Sequence, residues 1–163
     1  MAILKTTNTT GTYRESDAIA RVVHYIMNPY KARHYYGVYG ADIHNPAASM
    51  NMISEQFGKA NGVRLHHFVI SFYPNELRDP IIVDEIARRF AECLACEYQM
   101  VYAVHEDKEQ LHIHIVINSV SYIDGHRYRG SREEFKAMQH YMRAVLREYH
   151  IYRLDYVSHK TVL

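Results

Sequence analysis

The sequence predicts an α+β domain, a central antiparallel sheet with helices packed on it. Two apolar, strand-like runs at 98–105 and 111–120 are separated by five charged or polar residues, as a hairpin requires. Elsewhere, runs with apolar residues at three- and four-residue spacing stand between strands, so helices do not simply follow every strand as they would around a parallel sheet. With 163 residues, of which 48% are apolar and 23% charged, the chain is sized for a single domain over 1–163 with a substantial core.

Each element has its own local warrant. Residues 2–8 read as a first strand and Thr9-Thr10-Gly11-Thr12 as a turn. Ser16 or Asp17 caps a helix reaching about Met27, with Ile19, Val22, Val23 and Ile26 on one face. Asn28-Pro29 stops it, because a residue before proline is pushed out of the helical region. The Tyr-rich stretch 30–44 reads as irregular. Asn45 caps a second helix with Pro46 at its first position, running to about Lys59 and ended by Asn61-Gly62. Residues 64–73 form a buried strand. Asp79-Pro80 opens a third helix to about Glu97, apolar at Ile82, Ile86, Phe90 and Leu94. Asp124-Gly125 is a hairpin turn between 119–122 and 126–129. Ser131 and Glu134 have the spacing of a capping box opening a helix to about Tyr149, and a short strand follows at 154–158.

No apolar run approaches the length of a membrane span, and Met1-Ala2-Ile3-Leu4-Lys5 lacks the shape of a signal peptide, so a cytoplasmic protein without membrane insertion is expected. A net charge of +1 is weak support for nucleic-acid binding, but 12 His and 15 Tyr supply groups that gain charge near a polyanion or stack on unpaired bases. Cys93 and Cys96 fall late in a helix, where no helix N-terminus stabilises a thiolate, and no second pair completes a zinc site. Both are expected to be buried structural residues.

The most informative segment runs from His105 through Glu106-Asp107-Lys108-Glu109-Gln110-Leu111-His112-Ile113-His114-Ile115-Val116-Ile117 to Asn118. Side chains alternate along a strand, so His112 and His114 share one face while Ile113 and Ile115 take the other. Hairpin pairing brings His105 beside the same turn, and three imidazoles can converge on one divalent cation with coordination positions left open for a phosphate. Asp107 can accept a proton from a ligand's free ring nitrogen, and Asn118, on the same facing, can bond a substrate oxygen. His66-His67 is a competing source of one ligand, since only one of the two can face the site.

Tyr25, alone, reads as a residue at the edge of a core. Three ordered segments change that reading: His24-Tyr25-Ile26-Met27-Asn28 with Lys31; His67-Phe68-Val69-Ile70-Ser71-Phe72 with Pro74 and Glu76; and His105 to Asn118. Together, over about 15–150, they resemble the relaxases, the mobilization nucleases of plasmids and conjugative elements, in the branch with MobA-like and tumour-inducing-plasmid members. The resemblance implies the His-hydrophobic-His nuclease fold, with its palm-like (RRM-like) sheet. It also implies cleavage of single-stranded DNA at an origin of transfer through a 5′-phosphotyrosyl link on Tyr25. His105, His112 and His114 would bind Mg²⁺ or Mn²⁺, and Ser71 would hold DNA beside the nick. Relaxosome accessory proteins and a coupling protein would be partners, in a bacterial cytoplasm.

A phenol with a pKa of about 10 needs activation, and a nearby cation supplies it while stabilising charge on the phosphoryl oxygens. Lys31, Arg33, Arg127, Arg129 and Arg132 are the candidate DNA-binding cations, alongside Asn118. Whole relaxases are usually longer than this chain, which can be the N-terminal part of one. Two other readings are open: a rolling-circle initiator or transposase of the same superfamily, using Tyr141 or Tyr149 on the helix after the His pair, and a non-catalytic metal- or DNA-binding domain. Tyr30 is the best rival nucleophile, but it follows Pro29 and lies outside the helix match of the first motif.

Overall fold

The computed structural model describes residues 1–7 and 13–157. The expected turn at 9–12 and the outermost residues of the two terminal strands lie outside that range. Six strands form one sheet: β1 Ala2–Thr6, β2 Tyr36–Tyr39, β3 Leu65–Phe72, β4 Met100–His105, β5 His112–Asn118 and β6 Leu154–Val157, in the order β2-β4-β5-β3-β1-β6. Every pairing is antiparallel except that of β6 with β1, which is parallel. Four helices accompany it: α1 Ala18–Ile26, α2 Pro46–Gln56, α3 Pro80–Leu94 and α4 Arg132–Glu148.

The two faces of the sheet have different fates. Phe68, Ile70 and Phe72 of β3, Met100, Tyr102 and Val104 of β4, and Ile113, Ile115 and Ile117 of β5 point to one face and are closed over by α3 and α4. Leu65, Val101, Ala103 and Val116 point to the other, beneath α1, whose Ile19, Val22, Val23 and Ile26 form its buried stripe. This second layer stops short. Over β3, β1 and β6 the same face carries Val69, Ser71, Ile3, Lys5 and Asp155, none of them fully buried.

The local signals act as expected at most helix ends. Asn45 accepts from Ala48 N at 3.2 Å with Pro46 at the first helical position, and Ser131 and Glu134 close a reciprocal capping box. Three readings are corrected. The stretch 30–44 contains β2, an edge strand whose Gly37 lies so close to the Tyr102 ring that a Cβ would overlap it. The segment around Asp124-Gly125 forms a turn, with Gly125 at φ 76°, but only a single bridge, Val120 to Arg127, in place of two paired strands. Helices α2 and α3 end about three residues early, at Gln56 and Leu94; Cys96 falls beyond α3 and is exposed, and Cys93, still within it, is half-buried, instead of both being in the core. No helix is long and apolar enough to cross a membrane among the described residues.

Candidate active site and metal centre

Sheet register assembles the site. Across β4, β5 and β3, His105 lies opposite His112 and His112 opposite Ser71; one row over, Ala103, His114 and Val69 stand in line. All these side chains emerge on the α1 face. The three imidazoles pack with ring centroids 4.1 Å (His105–His114), 5.1 Å (His112–His114) and 5.2 Å (His105–His112) apart. One nitrogen from each lies within 4.8 Å of the others.

The hydrogen bonds select which nitrogens those are. His105 Nε2 donates to Ile26 O at 2.7 Å, leaving Nδ1 with a lone pair, and that Nδ1 is buried with no hydrogen-bond partner among the described residues. His112 Nδ1 donates to Gln110 O at 3.0 Å, leaving Nε2. His114 Nδ1 lies 2.8 Å from His67 Nε2, which leaves His114 Nε2 if His67 is the acceptor. An orphaned, buried lone pair and two further free imidazole nitrogens fit a divalent cation of intermediate softness. Burial lowers the pKa of all three, and neighbouring His residues push His114 down further, so the rings are neutral, the form that binds metal.

His67 resolves the facing left open in the sequence. It points into the site while His66 points to the opposite face and bonds Tyr128 O at 2.9 Å. Burial holds His67 down at about 4, so it too is neutral. Its Nδ1 lies 3.3 Å from Tyr13 Oη, and Tyr13 Oη lies 2.8 Å from Thr7 Oγ1. The signal for His67 was available: it shares strand parity with Ser71. Nothing in the sequence pointed to Tyr13 or Thr7.

Tyr25, in the last turn of α1, stands edge-on to this cluster, its ring 5.7 Å from that of His114 and 6.0 Å from that of His105. It is 45% exposed. Lys31 Nζ sits 4.8 Å from the Tyr25 ring centroid. Tyr25, Ser71, His112 and His114 line a cleft of about 240 Å³ whose rim carries Lys5 and Lys108.

Several expected residues fall elsewhere. Asp107 is beside the cluster, but its nearest approaches, 3.8 Å to His112 Nε2 and 3.8 Å to Lys31 Nζ, are too long for hydrogen bonds. Backbone carbonyls and His67 hold the rings instead, so Asp107 does not orient a ligand as expected. Asn118 shares the facing of His114 but is fully buried, its amide donating to Met50 O and Gln99 Oε1, both at 2.9 Å, and accepting from Val120 N at 3.2 Å. It ties α2 to the sheet and offers DNA nothing. Arg33 is exposed two residues beyond Lys31, and Arg132 is exposed at the start of α4. Arg127 and Arg129 lie beyond the opposite end of β3 from the histidine cluster, where Arg127 braces the loop before β3. Of the rival nucleophiles, Tyr141 donates its hydroxyl to Arg89 O at 2.9 Å behind the sheet, and Tyr30 is 84% exposed beside a groove between α1 and α2.

A staphylococcal protein, Rlx of Staphylococcus aureus, is 37% identical over 78 residues, covering 48% of this chain and 24% of that protein. The group II intron-interrupted relaxase LtrB of Lactococcus lactis is 36% identical over 75 residues, 45% of this chain and 13% of its own length. TraI of Escherichia coli is 33% identical over 78 residues, 46% of this chain and 11% of that protein. The matched segments are thus a quarter or less of these relatives. A solved structure from work on the molecular basis of vancomycin resistance transfer in Staphylococcus aureus shares the fold, with a TM-score of 0.54 over 76% of this chain and 74% of that one at 16% identity. The family model for the MobA/VirD2-like relaxase nuclease domain matches residues 25–151, and the chain belongs to that family.

Proposed function

We propose that this domain cuts one strand of DNA at an origin of transfer by transesterification, with Tyr25 as the nucleophile. The observation that carries the reading is the position of the Tyr25 ring, edge-on to both His105 and His114 at the mouth of a solvent-open cleft. His105 Nδ1, His112 Nε2 and His114 Nε2 would hold Mg²⁺ or Mn²⁺, which when bound withdraws charge from the phosphoryl oxygens. The donors are all nitrogen, which favours Mn²⁺ over the oxygen-seeking Mg²⁺.

The chain's own groups do the rest. Tyr25 Oη bonds to phosphorus as the 3′ oxygen of the preceding nucleotide leaves; the phenolic proton passes to water in the cleft and the departing oxygen takes one up. Lys31, over the Tyr25 ring, stabilises negative charge as it develops on that side chain. Ser71, opposite His112, presents a hydroxyl to the strand beside the cut. The products are a 5′-phosphotyrosyl link and a free 3′ hydroxyl, and because one ester replaces another the step reverses readily. A plain metal-bound water would hydrolyse the bond and have no use for an exposed phenol next to the cluster.

The test is labelled single-stranded origin DNA incubated with the protein and Mn²⁺, followed by denaturation and sequencing of the peptide attached to DNA. Tyr25→Phe should abolish the adduct while Tyr141→Phe retains it. An adduct lost only with Tyr141→Phe would favour a replication-initiator chemistry, and reversible binding with no adduct in the unaltered protein would leave a binding module.

A further inference from the structure

A second cleft, of about 420 Å³, opens at the start of β3, outside the site already described. Arg14, Arg127 and Arg129 line it, with His66 in its wall and no carboxylate among its lining residues. Arg64 adds a fourth guanidinium nearby; its Nε is buried and has no hydrogen-bond partner among the described residues. Burial first, and then Arg129 and Arg64, pull the pKa of Arg127 below its ordinary value, so these cations crowd one another without compensation. The adjacent acid, Glu134, is engaged elsewhere, accepting from Ser131 N at 2.8 Å and Arg129 N at 3.2 Å in the α4 cap. Arg127 is held in place by Lys59 O at 2.9 Å and Asn61 Oδ1 at 2.6 Å, which fixes its guanidinium at the cleft. Like charges gathered in a preformed hollow are the arrangement that an anion stabilises.

The position relative to Tyr25 identifies the anion. Tyr13 reaches His67, which in turn touches His114, and the next residue, Arg14, lines the cleft. Along β3, His66 precedes Val69, the partner of His114, by three residues, roughly 10 Å of backbone at strand rise, and its side chain points to the opposite face, so a strand joining the two clefts passes around the end of β3. Building on the DNA-cutting reading above, we propose that this arginine-walled cleft takes a backbone phosphodiester of the same strand, a few nucleotides from the one attacked by Tyr25. A strand gripped at two points is fixed in register at the cut.

The test uses Tyr25→Phe protein, expected to bind without cutting, and fluorescence anisotropy with a single-stranded origin oligonucleotide across a salt series. Arg14→Gln and Arg129→Gln, both at exposed side chains, should each weaken binding about fivefold at 0.1 M salt and reduce the salt slope by about 0.7. Arg147→Gln, at the far end of α4, should leave slope and affinity as they were. A single neutral methylphosphonate, walked along the oligonucleotide, should weaken binding at one position away from the cut, and that loss should vanish in the Arg129→Gln background. Inorganic phosphate serves as the second arm. If it is bound by the parent and not by the arginine variants while DNA affinity is the same for all, the cleft serves a small anion and the proposal is overturned. Unchanged salt slopes, or no measurable DNA binding, overturn it as well. Failure of the unaltered protein to form an adduct counts against the Tyr25 chemistry alone, since none of these readings depends on cutting.

Discussion

At His114 the chain spends a second imidazole where a carboxylate or carbonyl would serve. His67, neutral and buried, places Nε2 2.8 Å from His114 Nδ1 and Nδ1 3.3 Å from Tyr13 Oη, so the His114 ring is positioned by an uncharged neighbour that Tyr13 in turn braces. The bound cation would then keep its full charge for the phosphate, with no anion behind the ligand to dilute it. His67→Gln should lower Mn²⁺ affinity by about 10- to 100-fold in calorimetric titration of the protein without DNA. A loss comparable to removing His114 itself would mean that His67 is a direct ligand instead. The convergence of His105, His112 and His114 was legible because strand parity and hairpin pairing are properties of a few consecutive residues, whereas Tyr25, on a helix, and Ser71 entered only through the resemblance of their segments to the relaxases. The errors at Asp107 and Asn118 share a cause. Parity says which way a side chain faces, but whether helix α2 lies on top of it, or whether a carbonyl from Ile26 arrives first, depends on packing between distant segments.

Among the elements, helices were read more reliably than edge strands. Asn45-Pro46, Asp79-Pro80 and the Ser131–Glu134 box state their helix starts within four residues of sequence. Strand β2 has four residues, one of them glycine, and gains its identity only from pairing with β4. Gly37 is the clearest mark of that pairing, since Tyr102, whose hydroxyl donates to Asp84 at 2.5 Å, fills the space a Cβ would need. Gly37→Ala should therefore destabilise the fold by about 1–3 kcal/mol, read as a lower urea midpoint with an unchanged slope. Gly58→Ala is a useful contrast: nothing crowds that position, and its cost comes only from the backbone φ of 64°. The parallel seating of β6 against β1 was equally illegible, because a short terminal strand carries no direction of its own.

On the scale of the whole molecule, a near-neutral chain separates its charge: Lys5, Lys31 and Lys108 gather around Tyr25, and arginines gather at the opposite end of β3. The same molecule buries a set of histidines, and that shapes its response to acid. Folding lowers the pKa of His66, His67, His105, His112 and His114, chiefly by burial. Between the unfolded value of 6.5 and about 4 for His67, the unfolded chain takes up protons that the folded chain refuses. Stability is thus complete above pH 6.5 and declines as pH falls towards 4. Urea unfolding of the metal-free protein should show a lower midpoint at pH 5 than at pH 7, and the difference should shrink in His67→Gln. A midpoint indifferent to pH would mean that these rings are not held neutral. A last consequence follows from the anchorage of α1. Its Ile19, Val22, Val23 and Ile26 are sunk beneath the sheet face, and the carbonyl of Ile26 is clasped by His105. A DNA end covalently attached at Tyr25, as proposed, would tug on this helix, so mechanical load would pass directly into the core instead of stretching a surface loop, and the tyrosine would stay seated under tension.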